Sequence, residues 1–160
     1  MTVRRLARTV AVAAGAVAIG AGSADAAIRV WDPDGRELVR FKALSCRVDS
    51  AGFHGRAVVK GWRLVVRIQP FSGFKRYPLE YGEGESLAHF FLDPPGGGGT
   101  FSNAQEPPPA AARLTLGGSI QFPGGRKRIR IAFPIAYDSS DAHPNVVRVV
   151  GTASCAYRRR

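Results

Sequence analysis

Arginines recur at alternate positions in one short segment of the chain. Arg126, Arg128 and Arg130 are each separated by one residue, and on an extended strand such residues point to the same face, about 7 Å apart. A guanidinium group presents planar, paired donors that suit phosphate, sulfate or carboxylate. The spacing therefore predicts a basic strand face that binds an anionic ligand, and Arg63 and Arg67 would extend this face if their strand lies nearby.

The same arginine pattern also fits a solvated strand face, because exposed charges keep a sheet from associating with other sheets. Among anionic ligands, we expect a cell-wall polymer, an acidic glycan or a lipid headgroup before a nucleic acid. The basic residues are not interleaved with aromatic residues at a spacing suited to stacked bases. Nucleic acid is therefore not an expected partner, whereas an anionic polymer of the cell envelope or another protein is.

The chain has two cysteines, Cys46 and Cys155. In an exported protein an even number of cysteines indicates disulfide bonding, and two cysteines allow one intramolecular pairing. The bond would close a loop of about 110 residues, which in the chain-entropy description stabilises the fold by about 4–5 kcal/mol. Two buried free thiols are the alternative. A catalytic thiol is not expected, because a paired cysteine is not a nucleophile.

The histidines and the one acidic run are the residues that could serve in catalysis or metal binding. The histidines are far apart, without the spacing of a metal site. Paired carboxylates hydrolyse glycosides when they flank a cleft, but the acidic run is interrupted by glycines and is more typical of a solvated turn. We therefore predict no catalytic residue, no metal site and no cofactor. A small secreted hydrolase would have to bring together members of two groups: Glu80, Glu83 and Glu85, and His54, His89 and His143.

The polar segment 138–143 carries oxygen ligands that could contact calcium. It lacks the central glycine and the final glutamate of the helical calcium-binding loop. We predict an ordinary turn between two strands.

Three aromatic residues, Phe71, Phe74 and Tyr77, cluster beside Lys75 and Arg76. Exposed aromatic rings would provide a platform for a sugar. Most aromatic side chains in a small domain are instead buried in its core, so a core role is the favoured interpretation.

The N-terminal segment has the order of features that marks a secretory signal. Three arginines among the first eight residues precede an apolar run over 10–22, and a small-residue cleavage site follows at 24–26. We expect cleavage after Ala26, which removes three arginines and one aspartate and lowers the formal net charge from +11 to +9. An uncleaved anchor is the lesser alternative, because a membrane-spanning helix needs about 20 apolar residues. No later stretch is long and apolar enough to span a membrane.

The elements that must position the arginines are strands, because apolar and polar residues alternate with period two. The pattern is strongest over 62–69, 126–136 and 146–157. Pro134 indicates an edge strand or the end of a strand. Weaker strand predictions, separated by glycine- and proline-containing turns, cover 28–31, 38–43, 45–48, 56–60, 87–92 and 113–122, and 85–91 is the one segment for which a short helix is the alternative.

Several short strands at close spacing predict an antiparallel β-sandwich of about seven to nine strands, immunoglobulin-like or similar. The sandwich would form a single domain over 27–160, held by the disulfide, with a flexible glycine- and proline-rich loop at 93–112. A ligand-binding role for that loop is a lesser alternative to a tolerated insertion. The predicted core comprises Trp62, Leu64, Val66, Ile129, Ile131, Phe133, Val147 and Val149.

Composition and charge together favour a small, basic, exported domain that is not an enzyme and binds at the cell envelope through its arginine face. A protein-interaction module, directed at a host or acting as a chaperone, is the first alternative. The hydrolase is the second.

Overall fold

The computed structural model describes residues 26–80, 87–104, 118–137 and 146–157. A short 3-10 helix, Gly125–Lys127, lies directly before the tenth strand. The strands are, in chain order, β1 (Ile28–Trp31), β2 (Glu37–Phe41), β3 (Ala43–Asp49), β4 (Gly52–Val59), β5 (Trp62–Ile68), β6 (Tyr77–Leu79), β7 (Ala88–Asp93), β8 (Phe101–Ser102), β9 (Gly118–Gln121), β10 (Arg128–Tyr137) and β11 (Val146–Tyr157).

Seven of these strands close into a barrel. Their order around the barrel is β11, β3, β4, β5, β7, β8 and β10, and β10 pairs back with β11. Neighbouring strands are antiparallel except for β3 and β11, which are parallel. Strands β1 and β2 extend from one edge of β11, and β9 and β6 extend from β10. The predicted all-β class is confirmed.

The predicted two-sheet sandwich is corrected to a barrel. A sandwich keeps two separate sheets with free edges. Here β8 pairs with β7 at two positions and with β10 at one, Ser102 opposite Tyr137, so it bridges the two strands. The long β10–β11 pairing then completes the ring. Period-two alternation shows which face of a strand is buried. Strands of a sandwich and of a barrel have the same alternation, so the pattern does not distinguish the two folds.

The barrel interior is filled by the apolar side of each strand. On β5, Leu64, Val66 and Ile68 are fully buried, while Arg63 and Arg67 face outwards. Seven of the eight predicted core residues are buried. The eighth, Trp62, is partly exposed and packs against the core from the start of β5.

Strand β10 continues through Pro134 instead of ending there. The pairing with β11 shifts register between Phe133 and Ala136, and a bulge is one of the places where a strand tolerates proline. On its other side, β10 pairs with β9 up to Ala132 and with β8 at Tyr137, so neither neighbour pairs with Pro134. The expectation of an edge strand or strand end was therefore wrong.

The predicted disulfide between Cys46 and Cys155 is confirmed. It joins β3 to β11 beside their parallel pairing, where Cys155 lies opposite Leu44 and Tyr157 opposite Cys46. The cross-link therefore connects the third strand of the chain to the last strand at a seam of the barrel.

The segment predicted as a flexible loop, 93–112, contains β8 in its described part. Phe101, Ser102 and Asn103 are buried there. Residues 105–112 lie outside the described residues, as does nearly all of the predicted signal segment. Within the part of the chain that the structure describes, no helix has the length and apolarity to cross a membrane.

Candidate functional site

The outer face of β3, β4 and β5 forms a groove of about 1270 Å³. The arginines that line it on these strands alternate with core residues, so the period-two pattern that builds the barrel also directs their side chains outwards. Five arginines contribute to the lining, and they are Arg47, Arg56, Arg63, Arg67 and Arg126. We call this surface the basic groove.

Strand register brings the basic residues into rows. Arg47 on β3 lies opposite His54 on β4, and His54 lies opposite Arg67 on β5. The row continues to His89 on β7, opposite Arg67. Because neighbouring strands are about 4.8 Å apart, two arginines and two histidines of four different strands share one band across the barrel. Arg56 belongs to the adjacent row.

Carboxylates neutralise two of the five arginines. Arg47 forms an ion pair with Asp49 at 2.8 Å, and Arg63 pairs with Asp93. Among the described residues, Arg56 and Arg67 have no carboxylate partner; the Arg67 guanidinium instead lies 5.6 Å from the ring centroid of Phe91. The basic groove therefore keeps an excess of positive charge.

Arg126 reaches the groove by stacking on an aromatic ring. Its guanidinium lies 4.6 Å from the ring centroid of Tyr157 at the end of β11. Burial raises the pKa of Tyr157 above its ordinary value, and the nearby Arg126 charge partly opposes this shift. The Tyr157 Oη atom is enclosed and has no hydrogen-bond partner among the described residues. Tyr157 thus positions Arg126 through its ring.

The basic groove also exposes apolar side chains. Val48, Val58 and Phe74 line it with 41%, 58% and 39% of their surface exposed. Val65 lies between Arg63 and Arg67 on the outer face of β5 and is partly buried. The groove is therefore cationic and apolar at once.

The structure divides the predicted arginine set between two faces. Arg63, Arg67 and Arg126 line the basic groove, whereas Arg128 and Arg130 lie on the outer face of β10. The expected single row over Arg126, Arg128 and Arg130 does not form, because β10 begins at Arg128 and Arg126 belongs to the 3-10 helix.

Arg128 and Arg130 take part in a second basic surface. They lie opposite Ser154 and Thr152 of β11 and share a shallower cavity of about 560 Å³ with Arg29 and Arg148. We call this surface the β10–β11 face. The Arg148 guanidinium lies 5.5 Å from the ring centroid of Trp31. The Nε atom of Arg29 lies 3.8 Å from Oε2 of Glu37.

Sequence reasoning missed Arg47 and Arg56. Each stands in a segment where glycine, serine or a histidine weakens the alternation, so neither joined a visible arginine row. Their outward direction follows from the burial of Cys46 and Ala57 beside them. The partners that bring them next to Arg67 follow from strand pairing.

The residues of the hydrolase hypothesis are not gathered into one site where they are described. His54 Nε2 lies 3.8 Å from Oδ1 of Asp49. His89 is on β7, opposite Arg67 in the pairing with β5. Glu80 accepts a hydrogen bond from Asn103 through its backbone carbonyl. Across 26–80, 87–104, 118–137 and 146–157, no group of three or more histidine, cysteine or acidic side chains could hold a metal ion. Glu83, Glu85, His143 and the predicted turn at 138–143 lie outside the described residues.

The predicted aromatic cluster packs at one end of the barrel. The Phe71 ring lies 5.9 Å from that of Tyr77 and 5.2 Å from that of Phe74. Phe53 and Phe122 join the same cluster. Tyr77 is buried and its hydroxyl donates to the Gly73 carbonyl. These contacts give most of the rings a packing role and leave Phe74 as the ring that faces the groove.

Comparisons with known proteins give no family for this chain: it matches no family model, no curated protein and no solved structure.

Proposed function

We propose that this protein is exported and binds an anionic ligand at the cell envelope through the basic groove, without catalysing a reaction. The observation that carries the proposal is the set of five arginines on one concave surface, of which Asp49 and Asp93 neutralise two. Export is proposed from the N-terminal signal pattern, and a disulfide suits the oxidising surroundings that an exported protein meets.

The chemistry of the groove favours anions held by several donors at once. Guanidinium groups bind carboxylate, phosphate and sulfate through paired hydrogen bonds. Arg56 and Arg67 stand in adjacent rows of neighbouring strands, so one extended anion could contact both. An excess of positive charge in a concave surface also raises the local concentration of anions and speeds their association.

The test is sedimentation of the purified protein with isolated cell envelope across a series of salt concentrations. Binding by the wild type should weaken as salt rises, because salt screens exposed charges over about 10 Å at 0.1 M. The double variant Arg56→Gln/Arg67→Gln should bind at least about tenfold more weakly, since the loss of even one charged hydrogen bond costs roughly 1.5–3 kcal/mol.

The matched control is Arg128→Gln/Arg130→Gln, which removes the same charge from the β10–β11 face. It should bind within about twofold of the wild type, because a general loss of charge has only a weak, screened effect. Equal losses in the two variants would contradict a site in the groove. Retention that salt does not weaken would contradict an electrostatic site altogether.

A protein partner is the second candidate, and the exposed apolar side chains in the groove favour it, since exposed apolar patches mark interaction surfaces. Protease treatment of the envelope before sedimentation separates the two candidates. An anionic polymer or lipid would survive the treatment and retain the protein. Loss of retention would identify a protein partner.

A further inference from the structure

Among the described residues, exposed large apolar side chains are concentrated in the basic groove. Four large apolar side chains are exposed among the described residues, and three of them, Val48, Val58 and Phe74, line this groove. A ligand that was anionic and wholly hydrophilic would leave these side chains in water. A ligand with an apolar portion would remove apolar lining of the groove from water and bind more tightly for it.

Cationic and apolar groups alternate closely within the groove. Val58 lies opposite Arg63 across the β4–β5 pairing, and Val65 lies opposite Arg56. Val65 is also flanked along β5 by Arg63 and Arg67. Each guanidinium on β4 or β5 therefore has an apolar neighbour, and a ligand that contacts the one also meets the other.

We propose that the groove binds a single-chain anionic amphiphile, with its headgroup among Arg56, Arg67 and Arg126 and its hydrocarbon chain along Val65 and Val58, towards the β4–β5 turn. The inference rests on the proposed function and narrows its ligand class. The groove volume of about 1270 Å³ is large enough for such a molecule, since small-ligand pockets span about 300–1,000 Å³. The β10–β11 face is less suited, because Arg148 already covers its Trp31 ring.

The experiment is a calorimetric titration of the purified protein with alkyl phosphates of six, eight, ten and twelve carbons, each below its micellar concentration, and with inorganic phosphate. Full burial of one methylene contributes about 0.8 kcal/mol, a factor of about four. In an open groove we expect the dissociation constant to fall about twofold for each added methylene. An alkyl trimethylammonium of equal chain length should bind at least about tenfold more weakly.

Two double variants separate the headgroup from the chain. Val58→Thr/Val65→Thr keeps the shape and strand propensity of both residues and should flatten the dependence on chain length while leaving inorganic phosphate binding unchanged. Arg56→Gln/Arg67→Gln should weaken every member of the series by a similar factor.

Affinity that is independent of chain length would overturn the amphiphile and, if it still depended on Arg56 and Arg67, would leave anion binding in place. If neither double variant changed the affinity, the amphiphile and the proposed function would both be overturned. Binding to vesicles of anionic phospholipid without binding to any monomeric alkyl phosphate would also overturn the inference, because it would assign the groove to a bilayer surface.

Discussion

At the residue scale, Asn103 shows how a buried polar side chain organises this barrel. It is fully buried, and its Oδ1 atom accepts a hydrogen bond from the Phe90 amide at 2.9 Å. Its Nδ2 atom donates to the carbonyls of Glu80 and Ala88, each at 3.0 Å. These bonds tie the chain after β8 to β7 and to the end of β6, next to the point where the barrel closes.

Replacing Asn103 with alanine should therefore destabilise the protein by about 2–4 kcal/mol. The change leaves the buried Phe90 amide without its Asn103 acceptor and removes the two hydrogen bonds that Asn103 donates to the Glu80 and Ala88 carbonyls. A buried polar group that loses its partner costs about 1–3 kcal/mol. Urea unfolding followed by circular dichroism measures the loss. Asn103→Asp should be at least as destabilising, since it replaces the two donors with a buried charge. A loss below about 1 kcal/mol in both variants would refute this role.

We predict that Tyr157 makes the folded protein less stable at alkaline pH. Burial raises its folded-state pKa above the unfolded value of about 10, so the folded state holds the phenolic proton more tightly. Stability is unaffected below the unfolded pKa and falls as the pH rises from there through the folded pKa. Thermal unfolding between pH 8 and 11 should show this fall.

The matched variant for this prediction is Tyr157→Phe. It retains the ring that stacks on Arg126 and removes an enclosed hydroxyl that has no described partner. We expect stability at pH 7 within about 0.5 kcal/mol of the wild type and a smaller loss above pH 10. The same alkaline loss in both proteins would show that Tyr157 is not its source.

At the scale of elements, alternation in the sequence predicted the strands that bury one complete face. The predictions for β5 and β11 agree with the structure to within one residue, because both strands are rich in β-branched residues, and buried and outward-facing positions alternate along β5 and along the first part of β11. Strand β8 was missed because it has two residues in a glycine- and proline-rich segment. Its place is determined by pairing with β7 and β10 and by Asn103, which are contacts between distant parts of the chain.

The disulfide acts on the element scale by joining β3 to β11 across 109 residues of sequence. Cys46→Ser/Cys155→Ser should lower the free energy of unfolding by about 4–5 kcal/mol, because a loop of this length loses much of its unfolded-state entropy when it is cross-linked. Urea unfolding of the wild type and of the variant, each with and without reductant, measures this. Reductant should destabilise the wild type and leave the variant unchanged, and equal stability of all four samples would contradict the prediction.

At the scale of the whole molecule, barrel closure decides which arginines act together. The sequence predicted Arg63, Arg67 and Arg126 as members of one basic surface, but it also assigned Arg128 and Arg130 to that surface. These two lie instead on the β10–β11 face. Alternation in the sequence predicts whether a side chain points inwards or outwards, but it does not predict which strand lies alongside. Arg56 enters the groove through its pairing with β5.

Because the arginines are divided between two surfaces, we predict that an anion binds at the basic groove and not over the whole surface. The basic groove combines five arginines with exposed apolar residues. On the β10–β11 face, Arg148 stacks on Trp31 and Arg29 lies close to Glu37, and none of the four exposed large apolar side chains of the described residues lines that face. Net positive charge alone would attract an anion to both faces about equally.

The most direct test is a nuclear magnetic resonance titration of ¹⁵N-labelled protein with inorganic tripolyphosphate, which follows the backbone amides and the arginine Nε groups. We predict that the largest shifts occur at Arg56, Arg67 and Arg126 and at the amides of β3, β4 and β5. Shifts that are largest at Arg128 and Arg130, or equal on both faces, would contradict the assignment of the ligand site to the basic groove.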